Sequence, residues 1–470
     1  MSDKVDPPAG AGGRGAPFGR WLVNVGCWAL SLGVWALGGN RPALAEPSRL
    51  NIEQVWSGHP VGFCLLTEKD QQFVGYYDTN RQMTVAQRRL GDTAWSFTRL
   101  PSHVGWDSHN YITMAVDRDG HLHLSGNMHV SPMVYFRSQE PLDASTLRPV
   151  TPMANAKAEK RTTYPRFFTG PDGALLFKYR DGKSGEGNDI VNRYDPVARR
   201  WRPLITTPLT DGLGQVNAYF AGPEPGPDGY YHLCGTWRDT ADCATNHSLS
   251  YARSRDLIRW ETAAGKPLKL PLSPKNIDIA DPVKPGGGLI NVCYKLGFDN
   301  AKRPIIAYHR YDDAGKSQVF CARFENGRWV SRPVTRWKDY RWDFGGGGSI
   351  PNADVGVGEA TPSGDGKIEL SWRSPHESGA FLLDEKTLEP IGKAPRKPAE
   401  WKSPEGLGKI ENPAPGMQLK RASDQGKSPP PDCRHMLVWE TLGANRDRPR
   451  PGPPPPPSML RVFRLEPASH

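Results

Sequence analysis

A short unit recurs along this chain, and it constrains the fold more than any other feature. A turn carrying glycine leads into a short strand at Asp119-Gly120-His121-Leu122-His123-Leu124, at Asp172-Gly173-Ala174-Leu175-Leu176-Phe177 and at Asp228-Gly229-Tyr230-Tyr231-His232-Leu233. The pattern returns at Gly287-Gly288-Leu289-Ile290-Asn291-Val292 and at Asp365-Gly366-Lys367-Ile368-Glu369-Leu370. The first three turns are 53 and 56 residues apart. A second element, a strand ending in Trp after a polar or Gly-rich turn, recurs at Trp95, Trp201, Trp260 and Trp329. Periods of about 40–55 residues, each holding several short strands, are the signature of propeller blades, because one small sheet cannot bury its faces alone. The expected fold is therefore all-β, a seven-bladed β-propeller of four-stranded antiparallel blades. Two separate β-sandwich domains are the alternative, and no long amphipathic helix competes. The 50 Gly and 46 Pro supply turns, and 15 Trp with 15 Tyr suit half-buried strands.

The two ends add detail. Arg14 and Arg20 precede an apolar run over residues 21–37, and Ala43-Leu44-Ala45 fits a small-x-small cleavage site. Residues 1–45 read as a signal peptide cut before Glu46, with an uncleaved anchor as the alternative. Residues 46–470 then form a single exported propeller, secreted or periplasmic, expected to be monomeric and free of the membrane after cleavage. The Pro-rich stretch 448–457 is flanked by strand-like segments and reads as a loop inside a last blade closed by terminal strands. The formal charge of +10 suits an anionic partner. No clustered basic tract with a nucleic-acid motif is present, so charge alone does not choose among nucleic acid, membrane and acidic glycan; with the export signal, no nucleic-acid partner is expected.

Candidate chemistry collects at one end of two neighbouring blades. Tyr111–Val116 and His121–Ser125 read as a hairpin about Asp119-Gly120. Pairing residues whose numbers sum to about 238 brings His109 opposite His129. His121 and His123 alternate on the second strand, facing away from Leu122 and Leu124, where packing or solvent is their ordinary role. In the next blade a sum of about 344 sets Tyr164 opposite Arg180. The stretch 181–187 reads as a flexible loop at the mouth, and its Gly182-Lys183-Ser184 lacks the remainder of a phosphate-binding motif. Tyr219 opens the following blade. A His/Tyr/Arg cluster suits β-elimination from a uronate, which needs a base for the C5 proton, an acid for the leaving oxygen and a cation on the carboxylate. An always-charged planar guanidinium serves the last role well.

At these residues the chain resembles the BNR-repeat family of secreted propellers and, within it, the seven-bladed ulvan lyases. The resemblance runs from about Val55 to Phe463 and is most specific at Ser108-His109-Asn110, Gly120–Leu124 with His129, Thr163-Tyr164-Pro165 and Phe177–Gly182, with a late match at Trp439–Leu442 and Asn445-Arg446-Asp447-Arg448. It implies that His109 and Tyr164 are the acid/base pair, that Arg180 neutralises the carboxylate and that His129 and Tyr219 support the reacting sugar. The implied substrate is a uronate-containing, sulfated acidic polysaccharide.

A metal site is also expected. Three strands at 290–294, 305–309 and 319–322, with pairing sums near 602 and 630, bring Cys293, His309 and Cys321 onto one face. His247 would complete a tetrahedral set. The resemblance implies that the metal is a structural zinc. A Cys293–Cys321 disulfide is disfavoured, since an intervening strand holds the thiols roughly 9–10 Å apart. The six cysteines outside the signal allow up to three disulfides in an oxidising compartment. Two other functions compete with the lyase. A sialidase-type glycoside hydrolase would need an arginine triad or a carboxylate pair, and a non-catalytic glycan-binding propeller would need neither.

Overall fold

A computed structural model describes residues 47–350, 353–395, 397–426 and 432–468. The expected signal peptide and its cleavage site lie outside the described residues. The described chain is all β apart from three 3-10 turns, and its strands form seven antiparallel sheets. This is the seven-bladed propeller the repeats anticipate. The strands nearest the centre are Cys64–Glu68, Ile112–Val116, Thr162–Thr169, Asn217–Pro225, Tyr294–Phe298, the short pair Gly356–Val357 and Thr361–Pro362, and Met417–Ser423. Blades 1 to 7 are numbered here in that order. Blade 7 closes the ring: its outermost strand is Arg49–Val55, paired with Ser458–Leu465. The Pro-rich loop connects that strand to Arg434–Leu442 within the same blade.

The sequence repeats map onto definite places in a blade. The turns at Gly120, Gly173, Gly229 and Gly366 join the first strand of blades 2, 3, 4 and 6 to the second, and each of these glycines has positive φ, a conformation that side chains with a Cβ resist. The tryptophans open strands rather than end them: Trp201 and Trp329 are second in the outermost strands Arg200–Pro203 and Arg328–Pro333, and Trp260 begins the short fourth strand of blade 4. Trp201 and Trp260 are buried. Asp256, in the turn before Trp260, accepts the backbone N–H groups of Ile258 and Arg259, a structural duty. Leu122, Leu124 and Leu233 are fully buried, each stabilising the fold by about 1.5–3 kcal/mol. His123, on the face opposite Leu122 and Leu124, is also buried, against Tyr194 and Trp201. Its Nδ1 lies 2.7 Å from Tyr135 Oη and its Nε2 3.2 Å from Asp117. His232 repeats the arrangement in blade 4 with Tyr251 and Asp228.

Blade 5 departs from the expectation. Gly287 and Gly288 belong to a loop, and residues 290–293 are not a strand; the first strand is Tyr294–Phe298 and its turn is 299–303. That turn has Lys302 rather than glycine in the left-handed conformation, which hid it in the sequence. The register between the next two strands pairs His309 with Val319 and Cys321 with Ala307, a sum of 628 rather than 630.

Candidate active site

The blade 2 hairpin has the expected register, Ile112 with Gly126 and Val116 with Leu122. His109 and His129 lie just beyond its open end, and their rings stack with centroids 4.1 Å apart. Asp107 holds them there. It caps the 3-10 turn Ser108–Asn110 by accepting His109 N–H at 2.9 Å. The same carboxylate oxygen lies 2.7 Å from His109 Nδ1, and the other lies 2.5 Å from His129 Nδ1. A carboxylate only accepts, so both imidazoles carry hydrogen on Nδ1 and leave Nε2 as the position that exchanges a proton. Burial works to raise the Asp107 carboxyl, but the hydrogen bonds and charge of His109 and His129 outweigh it and hold it far below the usual carboxylate range. Asp447, from the loop after Arg434–Leu442, accepts Ser108 N–H at 3.1 Å, Ser108 Oγ–H at 3.0 Å and Ser349 N–H at 2.8 Å, and lies 3.5 Å from His109 Nδ1. It ties three loops together behind the imidazole.

In blade 3 the pairing is Thr163 with Arg180 and Arg166 with Lys178, with a bulge between them. The extra residue shifts Tyr164 off the position opposite Arg180. Tyr164 occupies the bulge with φ +58°, a conformation that costs a β-type residue about 1–3 kcal/mol and is retained where neighbours over-determine it. Its ring centroid is 5.7 Å from that of His109 and 6.2 Å from that of Tyr219. The Arg180 guanidinium sits 4.8 Å from the Tyr164 ring centroid and is only 1% exposed. Arg180 donates to Thr163 Oγ1 at 3.2 Å and to Tyr219 Oη at 3.4 Å. Gly187 makes this packing possible: a Cβ there would stand 2.5 Å from Arg180 Cδ and 2.4 Å from Asn217 Oδ1. The stretch 181–187 is thus a folded turn, and it presents Ser184 Oγ 2.9 Å from Tyr219 Oη.

Arg238 completes the cluster. It ends the second strand of blade 4, the place Arg180 holds near the end of the second strand of blade 3. It donates to the carbonyls of Thr240, Ala241 and Asp242 and, at 3.4 Å, to Tyr219 Oη. Burial raises the Tyr164 phenol well above the ordinary tyrosine range, with the neighbouring Tyr219 adding to the effect. Burial acts on Tyr219 in the same sense, yet the Arg238 and Arg180 charges and the Ser184 hydrogen bond overcome it and bring that phenol below its ordinary value. His109, His129, Tyr164, Tyr219 and Arg238 line one cavity of about 880 Å³ that also receives Lys420 from blade 7. The sequence therefore located five residues that do come together: His109, His129, Tyr164, Arg180 and Tyr219. It missed Asp107, next to the Ser108-His109-Asn110 stretch, and Asp447, inside the stretch Asn445–Arg448. It also missed Arg238, which a strand-by-strand comparison of blades 3 and 4 would have found.

The expected zinc ligands do not gather. His309 Nδ1 lies 2.7 Å from Gly288 O and Nε2 2.9 Å from Ser317 Oγ, so both ring nitrogens are engaged. The shifted register sets Cys321 two residues further along than a shared ligand position requires. His247 is bound to Ser248 and Asp239. The residues present do not fit that metal. All six described cysteines are buried, and Cys64, Cys234, Cys243, Cys293 and Cys321 form no disulfide. Among the described residues, the His/Cys/Asp/Glu group whose ligand atoms converge is Asp107, His109 and His129.

Residues 71–337, more than half of the chain, match the BNR repeat-containing family. The chain belongs to that family. Two short stretches of this BNR-repeat protein also match curated relatives, both named ulvan lyase, long isoform. One, from Alteromonas sp, is 49% identical over 41 residues, 9% of this chain and 4% of the relative. The other, from Glaciecola sp. (strain KUL10), is 38% identical over 64 residues, 14% and 6%. The matched stretches thus span a small fraction of those relatives. Among solved structures, the polysaccharide lyase Uly1 aligns with a TM-score of 0.59 at 12% identity, covering 89% of this chain and 99% of its own. An ulvan lyase of family PL25 bound to -[GlcA(1-4)Rha3S]- aligns at 0.53 and 12%, covering 88% and 95%. At this identity the BNR-repeat protein shares their fold.

Proposed function

We propose that this protein is a polysaccharide lyase that cleaves a uronate-containing, sulfated acidic polysaccharide of ulvan type by β-elimination, outside the cytoplasm. The observation that carries the reading is the convergence of two carboxylate-held imidazoles, two phenols and the Arg238 guanidinium at one cavity wall, with the Arg180 guanidinium directly behind it, chemistry of the kind elimination needs. Neither guanidinium has a carboxylate partner among the described residues. Arg238 lines the cavity, while Arg180 stands behind Tyr164. Together they supply the positive field that makes a uronate C5 proton removable. His109 and Tyr164 are the acid/base pair. Tyr164, held protonated by burial, suits the leaving oxygen, and His109 presents Nε2 with Asp107 stabilising any imidazolium. His129 and Tyr219 flank the sugar. The ligand named with the PL25 structure, a glucuronate linked to a sulfated rhamnose, supports this substrate class.

The test incubates residues 46–470 with a panel of uronate polysaccharides, ulvan first, following ultraviolet absorbance of the unsaturated uronate. A rise that disappears in Tyr164→Phe and Arg180→Ala, with folding intact, is the expected result. New reducing ends without a rise would replace the lyase with a hydrolase. Retention of glycan with neither signal would leave a binding propeller.

A further inference from the structure

The two guanidiniums and two phenols of the site lie on one side of the ring. Tyr164 and Arg180 belong to blade 3, and Tyr219 and Arg238 to blade 4. In a ring of seven, blade 7 stands opposite this pair, three steps from blade 3 one way round and three from blade 4 the other way. Its innermost strand, Met417–Ser423, presents Lys420 to the same cavity. Lys420 is in register with Trp439, whose buried ring stacks on Phe63 with centroids 4.7 Å apart. Cross-strand partners share a face of the sheet, so the lysine stem leaves the strand on the face that carries this aromatic pair.

The other charged side chains that line the cavity have an opposite charge nearby. Arg166 meets Glu224 at 2.5 Å, Lys178 meets Asp189 at 3.2 Å, His109 and His129 share Asp107, and Arg238 has the Asp242 charge beside it. Lys420 has neither an ion pair nor a hydrogen bond among the described residues. Burial holds its ammonium below the usual lysine range, and no neighbouring charge contributes. A half-buried cation without a partner loses hydration that no other group in the protein restores, and an anion brought by the substrate restores it.

A sulfated uronate polymer carries two kinds of anion. The carboxylate of the reacting sugar belongs with the guanidiniums of blades 3 and 4, whose planar fork suits it. The sulfate ester sits on another sugar of the chain. Its oxygens surround a tetrahedral centre, which a compact ammonium with three rotatable donors suits. We propose that Lys420 is a specificity-determining residue of the lyase, which takes the sulfate ester of a neighbouring sugar from the wall opposite the reacting uronate. This rests on the lyase reading and deepens it: the polymer is held at both walls, while His109 and Tyr164 keep their roles as the acid/base pair.

The test compares the full propeller with Lys420→Met and Lys420→Arg on ulvan, chemically desulfated ulvan and carboxyl-reduced ulvan. Turnover is followed by ultraviolet absorbance and binding by isothermal titration calorimetry. In Lys420→Met the ratio of kcat/KM on ulvan to that on desulfated ulvan should fall about tenfold or more, the size of one charged hydrogen bond. The fall should come through KM rather than kcat, and Lys420→Arg should recover most of it. Carboxyl-reduced ulvan, which keeps the sulfate, should bind Lys420→Met more weakly than the parent. The thermal midpoint of Lys420→Met should not fall, because the change removes a charge that has no partner. If Lys420→Met does not fold, Lys420→Gln carries the same comparison. An unchanged ratio would overturn the proposal, as would equal losses on sulfated and desulfated polymer. A loss confined to polymers that carry the carboxylate would overturn it too, by assigning Lys420 to the uronate. A parent that eliminates none of these polymers would remove the lyase reading. The ratio of affinities for ulvan and desulfated ulvan then decides the sulfate contact alone: a fall in Lys420→Met sustains it, and no change overturns it.

Discussion

Replacing Asp107 by Asn tests the site most directly, because the change is isosteric and its consequences follow from three contacts. The carboxylate takes His109 N–H and His109 Nδ1–H on one oxygen and His129 Nδ1–H on the other. An amide keeps one acceptor oxygen and turns an N–H₂ toward the third contact. If the oxygen stays with His109, His129 must shift its hydrogen to Nε2 so that Nδ1 can accept. Two charge-assisted hydrogen bonds of about 1.5–3 kcal/mol thereby become neutral ones of about 0.5–1.5 kcal/mol, a loss near 2 kcal/mol. The Coulomb stabilisation of a transient imidazolium is also lost, about 4 kcal/mol at 4 Å with an effective dielectric of 20, and solvent at this partly exposed site reduces it to roughly half. The Coulomb part, about 2 kcal/mol, acts on the barrier and lowers kcat roughly 10–10²-fold. The weakened hydrogen bonds are already lost in the resting protein, so global stability should fall by about 2 kcal/mol at most, since the side chain still fills its place and caps the turn. Turnover is read from the ultraviolet signal on the active polysaccharide and stability from a denaturant titration. Turnover within threefold of the parent would refute the assignment of the Asp107–imidazole unit to catalysis. Loss of turnover together with several kcal/mol of stability would show a structural role instead.

Arg461, fully buried in the closing blade, is paired with Glu440 at 2.6 Å. Arg461→Met should cost about 3–5 kcal/mol in denaturant unfolding by stranding that carboxylate, and adding Glu440→Gln should recover much of the loss. His309 is buried, which lowers its imidazole to about 4, so only the unfolded chain takes up this proton between pH 6.5 and 4. Its contribution is therefore present above about pH 6.5 and falls by roughly 3 kcal/mol as pH drops to 4, a slope that denaturant titrations should find flattened in His309→Gln. Because Cys293, Cys321, His309 and His247 do not converge, a strong chelator should leave the thermal midpoint unchanged, and a fall of several degrees accompanied by released zinc would contradict the described arrangement.

The sequence by itself determined the repeat, the all-β class and the register of the blade 2 hairpin. Each depends on local rules: glycine at positive φ, alternation along a strand, and a fixed pairing sum across a tight turn. The same rules placed His109 beside His129 and brought Tyr164 and Arg180 into one blade. They failed wherever one residue was added or a turn lacked glycine. The bulge at Tyr164 shifted the phenol away from the position opposite Arg180, and the two-residue offset in blade 5 set Cys321 opposite Ala307 rather than His309. The closing of the ring lay beyond any local rule. It brings Asp447 from blade 7 against Ser108, and neighbouring blades bring Arg180 and Arg238 to the same phenol oxygen. Those contacts join residues far apart in the chain, and the charge that each feels depends on what the tertiary structure buries beside it.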